Sequence, residues 1–217
     1  MGGVLISKNS KTSRRGKFVV LEGPDGCGKT TQARRLAAYL KRCGKEVLII
    51  REPGGTRLGG KIRRILLDPA NEEISMEAEL LLYMASRCQL VREIIVPALK
   101  KGVIVICDRF LLSSIVYQGC AGGLDIDTLE TIGRFAVSGL EPDCSIVLSL
   151  PFKVAMERRG INPDRIEARS LTFQRKVIRG YLEMAARYPK KTHVVESTGT
   201  INEVQQEIRT IVDAAIK

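Results

Sequence analysis

Five short runs of apolar residues, separated by longer segments with helical spacing, constrain the fold of this 217-residue chain most strongly. The runs are KFVVLE (17–22), EVLIIR (46–51), GVIVICD (102–108), CSIVLSL (144–150) and THVVES (192–197). Each gap between consecutive runs is long enough for the helical crossover that parallel strands require. Continuous β-branched runs that alternate with helices are typical of a sheet buried on both faces. The sequence therefore predicts a three-layer α/β fold, with a five-stranded parallel sheet between two layers of helices.

The first run leads directly into GPDGCGKTT (23–31), in which four residues separate Gly23 from Gly28 and Lys29-Thr30 follows. This is the G-x-x-x-x-G-K-[ST] spacing of a phosphate-binding loop, whose backbone N–H groups surround the phosphates of a nucleotide. Helical spacing over 29–43 would direct the positive end of a helix dipole at the same phosphates. We therefore expect Lys29 to bind the β- and γ-phosphates of ATP and the Thr30 hydroxyl to hold Mg²⁺. The predicted ATP-binding residues are Gly23, Pro24, Asp25, Gly26, Cys27, Gly28, Lys29 and Thr30.

Charged residues follow the second and third runs. Arg51-Glu52 begins REPGGT, and Asp108-Arg109 ends the third run. Ligands collect at the carboxyl ends of parallel strands, so these residues are expected to share one site with the phosphate loop. Asp108 is expected to orient hydrated Mg²⁺ or the Thr30 hydroxyl, and Arg109 to attract the phosphate of a second substrate. The alternatives are an Asp–Arg pair that only caps the strand, and a REPGGT segment that is only a tight turn.

An arginine-rich segment, ERRGINPDRIEAR (157–169), lies between the fourth and fifth runs. Its glycine, asparagine and proline favour a hinged loop, so we interpret it as a lid. Such a lid closes over a site, excludes water and brings guanidinium groups to the charge of the transition state. We expect Arg159 and Arg165 to act in catalysis, and exclusion of water favours transfer to a second substrate over hydrolysis. The alternative is a solvated, charged helix end.

Composition and charge narrow the class of protein. The chain has 35 basic and 24 acidic residues, a formal net charge of +11, and five of the basic residues lie within the first 17. We expect residues 1–16 to form a basic, disordered tail and residues 17–217 to form a single domain. No run is long enough for a membrane span or a signal peptide, which predicts a cytoplasmic protein. Six cysteines without a C-x-x-C pair, and a lone His193, favour reduced thiols and argue against zinc.

Taken together, these stretches resemble the thymidylate kinase family from about Lys17 to Lys217. The residues that carry the resemblance are EGPDGCGKTTQ (22–32), REPGGTRLGGKIRRILLD (51–68), AELLLYMASRCQLVREIIVPALKKG (78–102), DRFLLSSIVYQG (108–119), DRIE (164–167) and GYLEMA (180–185). REPGGT and DR-x₃-SS-x₂-YQG are specific to this family, whereas the phosphate loop alone is not. The resemblance implies a P-loop kinase fold, usually assembled as a homodimer. It also implies transfer of the γ-phosphoryl group of ATP to dTMP, giving dTDP and ADP in dTTP synthesis.

The resemblance further implies roles for individual side chains. Arg109 would hold the phosphate of dTMP, while Asp25 and Glu52 would lie near the sugar and the reacting phosphates. Tyr83 would stack on thymine, and Arg87 would hydrogen-bond to the base. Residues four apart share a helix face, which agrees with this assignment of Tyr83 and Arg87.

The same resemblance places Ser114 and Gln118 in the base pocket and Tyr117 against the ribose 2′ position, where it would favour a deoxy substrate. From the residues alone, two alternatives stay open. Tyr83 is also compatible with an ordinary core position, and Arg87 with a surface charge.

Two features characterise this chain within the resemblance. Members of the family carry the catalytic arginine either in the phosphate loop or in the lid. Because Cys27 leaves the loop without a second basic residue, this chain resembles the bacterial lid-arginine type. Relatives often read GRG where this chain has Ala121-Gly122-Gly123, so Gly122 replaces an arginine that would contact phosphate.

Two rival functions are also compatible with the motifs. The nearest is a kinase for another nucleotide or deoxynucleoside on the same fold. The other, suggested by the basic charge, is a nucleotide-dependent protein that binds nucleic acid or regulates another process. An aromatic content of 5% without tryptophan provides few surfaces for base stacking. The sequence therefore favours a dTMP kinase whose partners are ATP and dTMP, with neither nucleic acid nor a membrane among them.

Overall fold

The computed structural model describes residues 15–158, 160 and 163–217. Within these ranges the five predicted runs form one sheet, with strands β1 (Phe18–Glu22), β2 (Val47–Arg51), β3 (Ile104–Asp108), β4 (Cys144–Ser149) and β5 (Thr192–Glu196). Every strand pairing is parallel, and the order across the sheet is β2-β3-β1-β4-β5. The predicted five-stranded parallel sheet is confirmed, with β1 at its centre.

Helices connect the strands and cover both faces of the sheet. They are α1 (Lys29–Arg42), α2 (Arg57–Leu67), α3 (Met76–Leu90), α4 (Val96–Lys100), α5 (Leu111–Ser114), α6 (Ile126–Ala136), α7 (Phe152–Glu157), α8 (Leu171–Arg187) and α9 (Ile201–Ile216). Short π-helical stretches join α3 to α4 at Val91–Ile95 and extend α5 at Ile115–Ala121. Among the helices of the described ranges, none is both long and apolar enough to cross a bilayer.

The side chains of β1 alternate between two cores, which defines the three layers. Val19 and Leu21 belong to a core that includes residues of α1 and α9. Phe18 and Val20 belong to a second core, formed with the π-helical stretch Val91–Ile95 and α4. All four side chains are at most 1% exposed. Because successive strand residues point to opposite faces, burial of both faces requires the continuous apolar run seen in the sequence.

The helix that follows the phosphate loop begins at Lys29 and ends at Arg42. Its apolar side chains, Ala33, Leu36 and Leu40, lie in the core of the sheet face that it covers. Gly44 has a φ of 74°, a left-handed conformation that glycine adopts more readily than other residues. The helix therefore ends where the position of Gly44 predicts.

The predicted basic tail, residues 1–16, lies almost entirely outside the described residues. Its last two residues are described, and both contact the domain. The Arg15 guanidinium lies 3.5 Å from the Asp143 carboxylate, and the Gly16 N–H donates to the Leu99 carbonyl at 2.8 Å. Arg15 and Gly16 therefore pack with the domain. The predicted boundary placed the start of the domain two residues later, at Lys17.

Candidate active site

Three strand ends meet at one edge of the sheet. In the register of the sheet, Asp108 at the end of β3 pairs with Leu21 of β1 on one side and with Arg51 of β2 on the other. The loops that follow these strands are therefore neighbours, although they lie far apart in the sequence. This adjacency was expected, because the carboxyl ends of parallel strands share an edge.

The phosphate loop follows β1 and is wrapped tightly against the start of the lid segment. Gly26 has a φ of 79°, and a Cβ atom at this position would lie 3.1 Å from the Ala155 carbonyl oxygen and 3.2 Å from the Arg158 Cβ. The Lys29 ammonium donates to the carbonyls of Gly23 at 3.0 Å and Pro24 at 2.8 Å, so the loop holds its cation inside the turn.

The start of α1 differs from that of most long helices in the fold. Its N-cap, Gly28, has no side chain to accept from the first-turn N–H groups, and the first turn has no acidic residue. By contrast, a side-chain oxygen caps α2 at Thr56 and α3 at Ser75. The first-turn N–H groups of α1 thus lack a side-chain cap and, with the positive end of the helix dipole, suit a phosphate.

Thr30 and Asp108 form the candidate metal-binding pair. The Thr30 hydroxyl donates to Asp108 Oδ2 at 2.6 Å, which joins the start of α1 to the end of β3. Both supply hard oxygen atoms, the ligand type that Mg²⁺ prefers. Within the described ranges, no group of three or more His, Cys, Asp or Glu side chains is placed to hold a metal ion. The pair therefore fits a Mg²⁺ ion that takes most of its ligands from water and nucleotide phosphates.

A pocket adjoins the phosphate loop and contains the predicted substrate residues. Seven of its lining residues were expected: Glu52, Tyr83, Arg87, Arg109, Ser114, Tyr117 and Gln118. Asp25 of the phosphate loop also lines this pocket, so the loop and the pocket form one continuous site. A molecule in the pocket would thus lie beside the phosphates of a nucleotide bound by the loop.

Arg109 lies between the loop and the pocket. Its guanidinium donates to Asp25 Oδ1 at 2.5 Å, to the Gly23 carbonyl at 3.0 Å and to the Tyr181 hydroxyl at 3.0 Å. Its carbon also lies 5.2 Å from the centroid of the Tyr117 ring. Asp108 instead binds Thr30, so the two neighbours do more than cap a strand together.

The backbone of Arg109 is strained, and Glu22 holds the turn that contains it. Arg109 has a φ of 72°, a left-handed value that is uncommon for a residue with a side chain. The buried Glu22 carboxylate accepts from the Phe110 N–H at 2.9 Å and from the Ser113 hydroxyl at 2.5 Å. Burial raises the pKa of Glu22, although Ser113 and Arg109 oppose that shift. The sequence analysis did not identify Glu22 as a site residue.

Asp25 remains ionised in this arrangement. Burial opposes ionisation of its carboxyl group, but Arg109 and Lys29 outweigh burial and hold the pKa well below its ordinary value. The Tyr117 hydroxyl donates to Asp25 Oδ2 at 3.1 Å. Asp25 thus links the loop cation, the pocket arginine and a pocket tyrosine.

Arg87, which also lines the pocket, is fixed by four partners. Its Nε donates to Glu52 Oε2 at 2.5 Å, and its Nη atoms donate to the Ser114 hydroxyl at 3.1 Å and the Phe110 carbonyl at 3.0 Å. Met84 Sδ is the fourth partner. Arg87 is 1% exposed, so the alternative of a surface charge is wrong. Glu52 is equally buried, which makes REPGGT more than a turn.

Tyr83 and Gln118 line the same pocket. Tyr83 lies one helical turn before Arg87 on α3 and is half-buried at the pocket wall rather than in the core. Gln118 is 1% exposed; its Nε2 donates to Glu79 at 2.9 Å, while its Oε1 has no hydrogen-bond partner. A buried carbonyl oxygen without a partner is costly unless a ligand supplies a donor.

One of the two lid arginines expected to act in catalysis, Arg165, lies outside the pocket. Arg165 is 6% exposed, and its guanidinium binds Glu79 at 2.5 Å and the Leu66 carbonyl at 2.8 Å. It does not line the pocket. Arg158 lies against the phosphate loop and donates to the Ser197 carbonyl at 3.0 Å. Arg159, the other predicted catalytic arginine, lies outside the described residues.

These contacts exclude the alternative of a solvated helix end. Arg169 joins Arg165 on Glu79, at 2.7 Å, and Asp164 and Glu167 line the substrate pocket. The lid therefore packs against α3 through buried ion pairs and forms part of the pocket wall.

Several site residues escaped the sequence analysis or were not assigned a role. Arg51 and Arg63 line the pocket, and burial together with the charge of Arg51 lowers the pKa of Arg63. Both lie in the stretch 51–68, which carries the family resemblance, so that stretch contained the signal. Tyr181 also lies in a resembling stretch. Glu79 lies in the resembling stretch 78–102, but nothing in that stretch indicated its contacts with the lid.

Two remaining expectations concern small residues. Cys27 is 1% exposed, so its thiol fills space under the loop instead of facing solvent. A Cβ atom at Gly122 would lie 2.6 Å from Met76 Sδ and 2.6 Å from the Gln118 carbonyl oxygen. Met76 thus occupies space beside the position where relatives often carry an arginine.

Comparisons with known proteins identify the family of this chain. A family model for thymidylate kinase matches residues 21–208. The thymidylate kinase of Symbiobacterium thermophilum is 44% identical over 200 residues, which cover 92% of this chain and 94% of that protein. The thymidylate kinase of Deinococcus radiodurans is 44% identical over 196 residues, which cover 89% of this chain and 95% of that protein. The crystal structure of thymidylate kinase from Ehrlichia chaffeensis matches with a TM-score of 0.76 at 30% identity, over 91% of this chain and 99% of that one. The chain therefore belongs to the thymidylate kinase family.

Proposed function

We propose that this protein transfers the γ-phosphoryl group of ATP to dTMP, giving ADP and dTDP for dTTP synthesis. One observation carries the proposal. A phosphate-binding loop and a pocket with base-reading side chains share Asp25 and Arg109, so donor and acceptor would meet at those two residues. The lining of the pocket also provides the cations Arg51, Arg63 and Arg109 and a buried, uncharged acceptor, Gln118 Oε1.

The loop and the start of α1 bind the phosphates of ATP in this proposal. Lys29 supplies a cation, and the N–H groups of the first turn of α1 supply donors without side-chain competition. Preorganised donors of this kind stabilise charge that spreads over the transferring phosphoryl group. When ATP binds, the Lys29 ammonium would donate to a phosphate oxygen in place of one of the loop carbonyls.

Thr30 and Asp108 would hold Mg²⁺ together with ATP. A Mg²⁺ ion bound there supplies positive charge to the β- and γ-phosphates. The Thr30 hydroxyl and the Asp108 carboxylate already face each other at 2.6 Å, so their separation suits shared contact with one hydrated ion.

Arg109, Arg51 and Arg63 bind the phosphate of dTMP in this proposal. Like charges that gather in one pocket repel one another, and the lowered pKa of Arg63 reflects burial and the nearby Arg51. A dianionic phosphate removes that repulsion. Its oxygen is the nucleophile, and since a phosphate monoester has its second pKa near 6, it needs no general base at neutral pH.

In this proposal, one group of pocket side chains recognises the base. Tyr83 offers a ring for stacking, Arg87 and Ser114 offer polar contacts, and Gln118 offers the unpartnered Oε1 as an acceptor. Thymine presents a ring N–H beside a carbonyl oxygen, so it satisfies an acceptor and a donor on one edge. This match supports dTMP over a nucleotide without a ring N–H at that edge.

In this proposal the sugar lies between the base and the phosphate, next to Tyr117, Asp25 and Glu52. Tyr117 is 6% exposed and its ring is fixed under Arg109, so it has little freedom to move away from a 2′-hydroxyl. This rigidity supports the predicted preference for a deoxy sugar.

The lid supplies the remaining charge. Arg158 is the described lid arginine in contact with the phosphate loop, and we assign it to the transferring phosphoryl group. The expected catalytic role of Arg159 rests on the sequence alone. We assign Arg165 to lid attachment through Glu79, in place of the catalytic role first expected.

We also propose that two copies of this chain pair through α2, α3 and α6. These helices pack on one another, and they expose Leu58 and Ile65 on α2, Leu81 on α3 and Phe135 on α6, between 45% and 85%. Large apolar side chains on adjoining helices favour a covered surface. Light scattering should give twice the 24.0 kDa chain mass. Phe135→Asp should shift the measured mass towards that of a single chain. A wild-type mass equal to that of a single chain would exclude the pairing.

A cytoplasmic location agrees with this function. All six cysteines are free thiols in the structure, which suits a reducing compartment. Fractionation of cells that express the protein tests the location directly.

The decisive experiment measures ADP release with ATP, Mg²⁺ and one nucleoside monophosphate at a time. dTMP should support much faster release than dCMP, dGMP or AMP, and release without an acceptor should be slow. Equal rates with all four acceptors would contradict the proposed substrate. Fast release without an acceptor would indicate an ATPase instead.

A further inference from the structure

Glu79 lies outside the pocket, but it connects the lid to a base-reading side chain. It is 0% exposed, in the first turns of α3. Its Oε2 accepts from Arg165 at 2.5 Å and from Arg169 at 2.7 Å. Its Oε1 accepts from Gln118 Nε2 at 2.9 Å. One buried carboxylate thus holds two lid arginines and one pocket amide.

The chemistry of this carboxylate sets the orientation of the Gln118 amide. A side-chain amide has a donor end and an acceptor end, and its hydrogen-bond partners decide which end faces which way. An ionised carboxylate only accepts, so it selects the NH₂ end of Gln118. The Gln118 carbonyl oxygen is then directed elsewhere, and it is one of several buried side-chain atoms without a hydrogen-bond partner in the described part of the chain.

The lid arginines keep Glu79 in that acceptor role. Both guanidinium groups donate to Oε2, which leaves Oε1 to accept from the Gln118 amide. Arg165 is also tied to the Leu66 carbonyl, so the arrangement does not depend on one flexible side chain.

We infer that Glu79 is a positioning residue for base selectivity, because it fixes the Gln118 amide with its carbonyl oxygen towards the base. This inference rests on the proposed function and extends it to a residue that does not contact the substrate. A pocket with a fixed acceptor at this point favours a base with a ring N–H, as in thymine. It disfavours cytosine, whose N3 is an acceptor and would face the Gln118 oxygen.

The test compares dTMP with 5-methyl-dCMP, which keeps the methyl group and changes the polarity of the base edge. In Glu79→Gln, the new amide is able to donate as well as accept, so Gln118 is free to reverse. The ratio of kcat/KM for dTMP to that for 5-methyl-dCMP should fall at least about tenfold, the scale of one mismatched buried hydrogen bond. Direct titration of both nucleotides should show the same change in the ratio of Kd values.

Matched variants separate positioning from lid attachment. Arg169→Gln removes a lid contact but leaves the carboxylate, so both substrates should be affected alike and the ratio should hold. Glu79→Asp keeps an acceptor-only group and should retain most of the selectivity. In a Gln118→Leu background, Glu79→Gln should no longer change the ratio, because the amide through which it acts is missing.

Glu79→Gln leaves two guanidinium groups without their carboxylate, and the variant risks misfolding. The double variant Glu79→Gln/Arg165→Gln avoids the buried excess charge and answers the same question. A folded variant of either kind with an unchanged ratio would overturn the inference. If the wild-type enzyme itself does not prefer dTMP, the proposed function fails, and that result is distinct from a failure of the Glu79 assignment.

Discussion

The phosphate loop and the lid both carry cations, but different parts of the chain position them. In the loop, Lys29 binds carbonyls five and six positions earlier, so local backbone geometry fixes the contact. In the lid, Arg165 binds Glu79, 86 positions earlier, and Arg158 binds Ser197, 39 positions later. Long-range packing therefore decides where each lid guanidinium lies.

This difference separates what each region contributes. The loop cation contacts neutral carbonyls. Arg165 contacts the Glu79 carboxylate, so we propose that it attaches the lid. We propose a different role for Arg158, which belongs to the same segment but lies against the loop.

The largest expected effect is on the loop. Lys29→Ala should lower kcat by about 10³-fold, because it removes a preorganised charge at the transferring phosphoryl group. Turnover by ADP release checks the result, with melting temperature as the test of folding. Lys41→Ala, at an exposed position of the same helix, is the matched control and should leave kcat unchanged. A folded Lys29→Ala enzyme with most of its turnover would remove the distinction between loop and lid.

The same comparison explains how much the sequence predicts. The sheet was predictable because strands buried on both faces leave continuous apolar runs, as in Phe18–Glu22. The loop was predictable because its function requires fixed spacing between Gly23 and Lys29. The pocket residues came from the family resemblance, and the structure places all seven in one pocket.

Other parts of the site leave no such pattern. Glu22 reaches Ser113 across 91 positions, and Glu79 reaches Gln118 across 39. No spacing rule links such partners, since they meet only after the helices pack. The position expected for Arg165, at the reacting phosphates, differs from its observed contact with Glu79 for the same reason. The sequence shows the charge but not the carboxylate that binds it.

The second prediction contrasts two lid arginines. Arg158→Ala should lower kcat by about 10²-fold with little change in KM for dTMP, since it acts on the transferring group. Arg165→Ala should mainly raise KM for dTMP, because Asp164 and Glu167 of the pocket wall depend on lid attachment. It should also reduce the free energy of unfolding by about 1–3 kcal/mol, the cost of a lost buried polar partner.

Steady-state kinetics with dTMP varied at saturating ATP distinguishes these outcomes. Arg179→Ala, an exposed arginine of α8 paired with Glu183, is the matched control for loss of a guanidinium. If Arg165→Ala lowers kcat at constant KM, Arg165 reaches the reacting phosphates in the closed enzyme, and the proposed division within the lid is wrong.

A smaller effect is expected at Tyr117, which borders both regions. Tyr117→Ala should raise the use of the ribonucleotide relative to dTMP by about tenfold, because space opens at the 2′ position. Tyr117→Phe keeps the ring and removes only the hydroxyl contacts to Asp25 and Arg109. It should therefore retain the deoxy preference. Equal sugar ratios in the wild type and Tyr117→Ala would show that another group reads the sugar.

The last expected effect concerns Glu52, the buried partner of Arg87, and it appears in stability rather than in catalysis. Burial raises the pKa of Glu52 to about 7, although the charge of Arg87 opposes the shift. The unfolded chain releases this proton near the ordinary value of 4.5. Between these values the folded state binds more protons than the unfolded state, so rising pH favours unfolding. The contribution of Glu52 to stability is thus most favourable below about pH 4.5, declines to about pH 7 and then stays constant.

Urea denaturation of the wild type and Glu52→Gln across this range measures the effect. Because the glutamine side chain of the variant does not titrate, the stability of the wild type relative to the variant should decrease between about pH 4.5 and pH 7. Glu22 is present in both proteins, but its charge also raises the pKa of Glu52, so the difference reports Glu52 together with its coupling to Glu22. Glu73→Gln, at an exposed position, is the control for removal of a carboxyl group. A difference that instead grows with pH would mean that Arg87 outweighs burial, and that Glu52 is fully ionised beside the base.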